Sequence, residues 1–100
     1  MVIRCQDLEK SKRFYESLGL VFQKEKHGHG VEHYSSEQNG MVFELYPNNG
    51  LAPNDDIRLG FKLENIHQII KDLDIVSSYE FDTNIVYIVK DPDCRKIELS

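Results

Sequence analysis

A chain of 100 residues, 40% of them hydrophobic, can bury one modest core and leaves no room for separate catalytic and regulatory domains. The formal net charge of −5 and a pI near 5.3 come without any stripe of Lys or Arg, which argues against nucleic acid as a partner. No apolar stretch approaches the roughly 18 residues that span a bilayer, and Met1-Val2-Ile3-Arg4-Cys5 lacks a signal peptide's apolar segment, so no membrane association and a cytoplasmic location are expected.

In chain order, a strand is expected over 2–6. Asp7 then caps a helix whose apolar positions Leu8, Phe14, Tyr15 and Leu18 share one face and which stops at Gly19. Strands follow near 20–26, 31–36 and 41–46. Between the first two lies His27-Gly28-His29-Gly30, with Glu32 and His33 close behind. Imidazole is a common metal ligand, but the glycines mark a turn, and without ligands from another segment these read as exposed loop histidines. His33 faces Glu44 in one strand register and the core in the next, a choice that sequence leaves open.

Residues 48–54, rich in Asn, Gly and Pro, read as a linker. A strand over 57–63 is followed by a helix over 66–73, with Asn65 as its cap, Gln68 three residues on, and Ile66, Ile69, Ile70 and Leu73 on one face. Strands near 75–80, 84–90 and 95–99 complete the chain. Each half thus reads strand, helix, strand, strand, strand. An offset of 58 brings Arg4 onto Lys62, Asp7 onto Asn65 and Leu8 onto Ile66, and an offset of 54 brings Phe43-Glu44-Leu45 onto Ile97-Glu98-Leu99. The halves are duplicates.

Side chains alternate between the faces of a strand. One parity collects Ile3, Cys5, Met41, Phe43, Leu45, Leu59, Phe61, Leu63, Ile97 and Leu99, the expected core. The other collects Val2, Arg4, Val42, Glu44, Tyr46, Arg58, Gly60, Lys62, Lys96 and Glu98 and is ionisable. The reading that follows is an α+β domain over 1–100: module one about 1–47, the linker 48–54, and module two about 55–100. The two tandem βαβββ modules are expected to form a curved, mostly antiparallel sheet around a polar cavity, with helices on the outer face. Cys5 and Cys94 are expected to be free thiols.

The Asp7-Leu8 opening, the run Arg13-Phe14-Tyr15-Glu16-Ser17-Leu18-Gly19-Leu20, Phe43-Glu44-Leu45 and the ending Asp91-Pro92-Asp93-Cys94-Arg95-Lys96-Ile97-Glu98-Leu99 together resemble the vicinal oxygen chelate superfamily. This is the glyoxalase, bleomycin-resistance and extradiol dioxygenase group. The resemblance implies metal ligands near the start and the end of each half. Glu44 and Glu98 match the end positions, where a divalent Ni, Zn, Fe, Mn or Mg would bind. The start position of the second half is Arg58, whose guanidinium has no lone pair to donate, and that of the first lies one residue before Met1. No metal is therefore favoured there. Arg58 is expected instead to bridge Glu44 or Glu98, either binding a polar ligand with it or merely neutralising it. Cys94 stands where the family commonly has Gly.

Arg4, Glu44, Tyr46, Arg58, Lys62 and Glu98 are the expected ligand-binding residues, and no catalytic residue is assigned. The first functional reading is a metal-independent protein that sequesters a small molecule, the acidic balance favouring a cationic one. Two alternatives stand beside it: a divalent-metal-dependent lyase, isomerase or dioxygenase with Glu44 and Glu98 as ligands, and a structural or partner-binding module without chemistry. The resemblance also implies a homodimer.

Overall fold

The structure, a computed structural model, describes residues 1–38, 40–49 and 57–100. The chain divides into two compact units, Met1–Asn54 and Asp55–Ser100.

The first unit runs β1 (Val2–Cys5), α1 (Leu8–Ser17), β2 (Gln23–Glu25), β3 (His33–Gln38) and β4 (Met41–Pro47). Its sheet has the order β1-β4-β3-β2, with β1 parallel to β4 and the other two pairings antiparallel. Asp7 caps α1 as expected, its carboxylate accepting the Lys10 N–H at 3.0 Å. At the other end Gly19 takes φ +102, a left-handed conformation that only glycine adopts without strain. The helix buries Ser11, Tyr15 and Leu18. Tyr15 meets Phe43 of β4 edge to face at 5.1 Å, while Tyr34 of β3 donates its hydroxyl to Glu9 and lies under the Lys12 ammonium, 4.9 Å from the ring centre. Ile3, Cys5, Phe43 and Leu45 fill the core as their parity predicts. Met41 does not: it opens β4 opposite Gln38, where the hairpin runs into solvent, and is 68% exposed.

The second unit repeats the plan with β5 (Leu59–Phe61), α2 (Ile66–Ile69) running into a 3₁₀ turn (Ile70–Asp72), β6 (Ser77–Phe81), β7 (Asn84–Lys90) and β8 (Lys96–Leu99). The sheet order is β5-β8-β7-β6, again with one parallel pair, β5 and β8. Leu59, Val89, Ile97 and Leu99 are buried. The helix expected over 66–73 is α-helical only to Ile69, and Leu73 is already extended at φ −114, ψ 148. Two causes are visible. Asn65 makes no side-chain cap bond, and the β-branched Ile66, Ile69 and Ile70 lose rotamer freedom in a helix, so the backbone tightens to 3₁₀ within one turn. The strand expected over 57–63 is paired only at Leu59–Phe61, although the Leu63 N–H still reaches the Ser100 carbonyl at 2.7 Å.

The registers confirm the duplication. Val2 pairs with Glu44 in the first sheet and Gly60 with Glu98 in the second, so the first strands correspond at an offset of 58 and the last at 54. Of the linker expected at 48–54, residues 50–54 lie outside the described residues. Among the described residues no helix is long and apolar enough to cross a membrane.

Candidate functional site

Directly paired residues on neighbouring strands point to the same face of a sheet. In the first unit Arg4 pairs with Tyr46, and Glu25 with His33. One step beyond the Tyr34–Leu45 pair, His33 lies flat on Tyr46, with ring centres 4.2 Å apart and planes 9° off parallel. Arg4, Tyr46, His33 and Glu25 thus form one row across all four strands. The Arg4 guanidinium sits 5.6 Å from the Tyr46 ring centre. Glu44, in the adjacent row opposite Ser35, reaches back to His33 Nε2 with Oε2 at 3.1 Å.

His33 is the pivot and is 1% exposed. Its Nδ1 is 3.1 Å from the Val31 carbonyl, and a carbonyl only accepts, so Nδ1 carries a proton. Nε2 faces Glu44 Oε2, Glu25 Oε2 at 3.5 Å and the Tyr46 hydroxyl at 3.4 Å. Just past β2, His27 places its Nε2 3.4 Å from Glu25 Oε2, and its ring centre is 5.2 Å from that of His33. Donor atoms of Glu25, His27 and His33 all lie within 4.8 Å of one another. Burial, and then the Glu44 carboxylate, push the Tyr46 phenol above its ordinary range. The expectation of exposed loop histidines holds for His27 and His29, and of the two faces left open for His33 the register gives the one toward Glu44, against two carboxylates.

In the second unit Glu98 pairs with Gly60 on one side and Ile88 on the other, and Tyr79 pairs with Val86. The face that carries Glu98 is thus part aromatic and aliphatic rather than wholly ionisable. Beside it opens a hollow of about 490 Å³ whose lining includes Phe61, Lys62, Tyr79, Phe81, Val86 and Glu98. Arg58 Nη1 donates to Glu98 Oε1 at 3.1 Å, with the arginine side chain 52% exposed. Burial and the neighbouring Glu98 carboxylate push the Tyr79 phenol up.

The six expected residues therefore fall into two groups. Glu44 and Tyr46 meet His33, with Arg4 against Tyr46, whereas Lys62 and Glu98 line the hollow and Arg58 bonds to Glu98. Of the two carboxylates offered to Arg58 it takes Glu98, and Glu44 takes His33. Glu25 joins the site without any expectation from sequence, and His27 joins it although the Gly-rich turn reads as an exposed loop. Their signal was Glu25-Lys26-His27 and His33 flanking a Gly-X-Gly turn, which needs the hairpin register to become geometry. Tyr79 and Phe81 were passed over because nothing in sequence ties β6 to Glu98. Cys5 and Cys94 form no disulfide, as expected, and one is buried and the other exposed.

The profile of the Glyoxalase/Bleomycin resistance protein/Dioxygenase superfamily matches residues 1–99. Among curated proteins none matches this chain. Solved structures with the same fold include TnmS3, an antibiotic binding protein from Streptomyces sp. CB03234, at 17% identity and TM-score 0.75, covering 100% of this chain and 90% of that one. A glyoxalase/dioxygenase from Nostoc punctiforme aligns at 19% identity and TM-score 0.75 over 99% and 86% of the two chains. Lactoylglutathione lyase from Agrobacterium tumefaciens aligns at 11% identity and TM-score 0.69 over 99% and 88%.

Proposed function

We propose that this chain, which belongs to the Glyoxalase/Bleomycin resistance protein/Dioxygenase superfamily, binds a small aromatic cation in the hollow of its second unit, without a metal. The observation that carries the reading is Glu98, at the edge of a hollow that Tyr79 and Phe81 line from the same face of the sheet, and engaged by a half-exposed guanidinium. The volume of about 490 Å³ falls within the usual range for small-molecule sites. Aromatic faces attract cations, and Glu98 supplies a charge-assisted partner for one. An exposed ion pair such as Arg58–Glu98 contributes about 0–1 kcal/mol, so a ligand cation can take the place of the guanidinium. That TnmS3 binds an antibiotic is in keeping with a sequestering role.

The lyase or dioxygenase alternative asks Glu44 and Glu98 to serve as metal ligands. Glu98 already faces a cation that offers no lone pair, which argues for the binding reading. Pairing of two chains, as the family resemblance implies, is part of the proposal, and light scattering of the pure protein checks it.

Equilibrium dialysis against planar aromatic cations and their neutral isosteres tests the site. Saturable binding of at least one cation is expected, unchanged by EDTA. Glu98→Gln should weaken it about tenfold or more through loss of a charge-assisted bond. Arg58→Ala should strengthen it about threefold by removing a competitor. A panel with no saturable binding would sink the proposal and favour a partner-binding module.

A further inference from the structure

We infer that the β2–β3 hairpin of the first unit is a binding site for a borderline divalent transition metal of the zinc, nickel or cobalt type. His27 Nε2, His33 Nε2 and the Glu25 carboxylate are its ligands, and the Glu44 carboxylate stands beside them, 3.1 Å from His33 Nε2. The family resemblance draws metal ligands from the starts and ends of the halves, so of these four residues only Glu44 stands at an inherited position. The site is independent of the hollow proposed above.

Three observations carry it. The first is convergence. His33 Nε2 lies 3.1 Å from Glu44 Oε2 and 3.5 Å from Glu25 Oε2, and its Nδ1 is 3.1 Å from the Val31 carbonyl. Donor atoms from two neighbouring strands and the turn beside them thus meet around one buried imidazole. The backbone carbonyl on Nδ1 is also the outer-shell partner that metal-bound histidines ordinarily have, fixing the tautomer and leaving Nε2 to coordinate.

The second is distance. Metal–nitrogen and metal–oxygen bonds of about 2.0–2.2 Å at tetrahedral angles separate neighbouring ligand atoms by about 3.3–3.6 Å. The separations found are 3.4 Å for His27–Glu25, 3.5 Å for His33–Glu25 and 3.1 Å for His33–Glu44, so small side-chain shifts bring the donors onto one ion. Two imidazoles with carboxylate select zinc, nickel or cobalt over magnesium or calcium, which prefer all-oxygen sites.

The third is the turn. Gly28 adopts φ +59, and the Gly30 N–H donates to the His27 carbonyl at 2.8 Å, which returns the chain so that His27 meets the strand carrying His33. A Cβ at Gly30 would stand 2.9 Å from the His27 carbonyl oxygen, so this turn admits glycine alone there without shifting its backbone. Buried His33 holds one ligand rigidly, and exposed His27 leaves an entry path.

The competing occupant of the lone pair is a proton, which would make His33 an imidazolium between two carboxylates. Cobalt titration of the tag-free protein, followed by visible absorption, separates the two. Saturable one-to-one uptake with the intense bands of low-coordinate cobalt is expected, reversed by zinc. The exposed variants His27→Gln and Glu25→Gln should each weaken uptake about tenfold or more, and the double variant should abolish it. Nitrogen-15 spectra should show His33 Nε2 shifting on zinc addition while the Nδ1 proton is retained. Lack of saturable uptake, or uptake undiminished in the double variant, would overturn the site. Glu98→Gln should leave cobalt binding unchanged, and EDTA should leave organic-cation binding unchanged, so either proposal can fail alone.

Discussion

Cys94 occupies the tight turn of Asp91-Pro92-Asp93-Cys94 at φ +66, its N–H bonded to the Asp91 carbonyl at 2.9 Å. A side chain in the left-handed region costs about 1–2 kcal/mol, and glycine, which the resemblance places at this position, escapes it. Cys94→Gly also loosens the unfolded chain, which returns part of that gain. The variant is expected to be more stable by about 0.5–1 kcal/mol in urea unfolding, with an unchanged m-value. A loss of stability would mean that the exposed thiol makes contacts the turn depends on. The next residue was readable only in part. Arg95, which in sequence is only a charge beside Cys94, is 1% exposed and gives Nη1 to Asp91 at 3.0 Å and to Asp93 at 3.2 Å. Asp91 also accepts the Arg95 and Asp93 N–H groups. The motif's charges tie the turn into the core, and a string of letters cannot distinguish that from a charged surface loop. The same limit hid His33, whose face depends on a register that local sequence does not contain.

At the scale of elements, periodicity located both helices, and the caps explain why they differ. Asp7 closes the first turn of a ten-residue helix with a bond to Lys10 N, whereas Asn65, its counterpart at the offset of 58, makes none above a four-residue one. Asp7→Ala is therefore expected to cost about 1 kcal/mol. Asn65→Ala should stay within about 0.5 kcal/mol, as surface changes without a special partner do. Chemical denaturation of the two variants measures both. Equal losses would show that Asn65 caps its helix in solution. Strands β1, β4, β5 and β8 were legible for the same reason as helices, since their residues alternate between an apolar and a more polar face. Strand ends were not: residues 20–22, expected in a strand, lie outside β2, because only hydrogen-bonded pairing to β3 defines where β2 begins.

For the whole chain, the duplication was the most legible feature. Offsets of 58 and 54 read from letters reappear as the pairs Val2–Glu44 and Gly60–Glu98. What the repeat could not convey is that its two carboxylates have diverged in chemistry: one faces a buried imidazole that a second carboxylate also approaches, the other a guanidinium beside an aromatic-lined hollow. The net charge of −5 bears on both, since it favours cations of either kind near the surface and disfavours anions. If Glu98 recognises an organic cation, the attraction has a short-range part inside the hollow and a long-range part from the rest of the acidic chain, and salt screens chiefly the second. The Debye length falls from about 10 Å at 0.1 M to about 3 Å at 1 M, so affinity should drop severalfold across that range and then level off. For a neutral isostere of the same ring size, affinity should stay flat or rise slightly with salt, because apolar burial does not weaken there. Dialysis of the matched pair at several salt concentrations checks this. Parallel salt curves for cation and isostere would show that the aromatic lining alone holds the ligand and that Glu98 plays no part in recognising it.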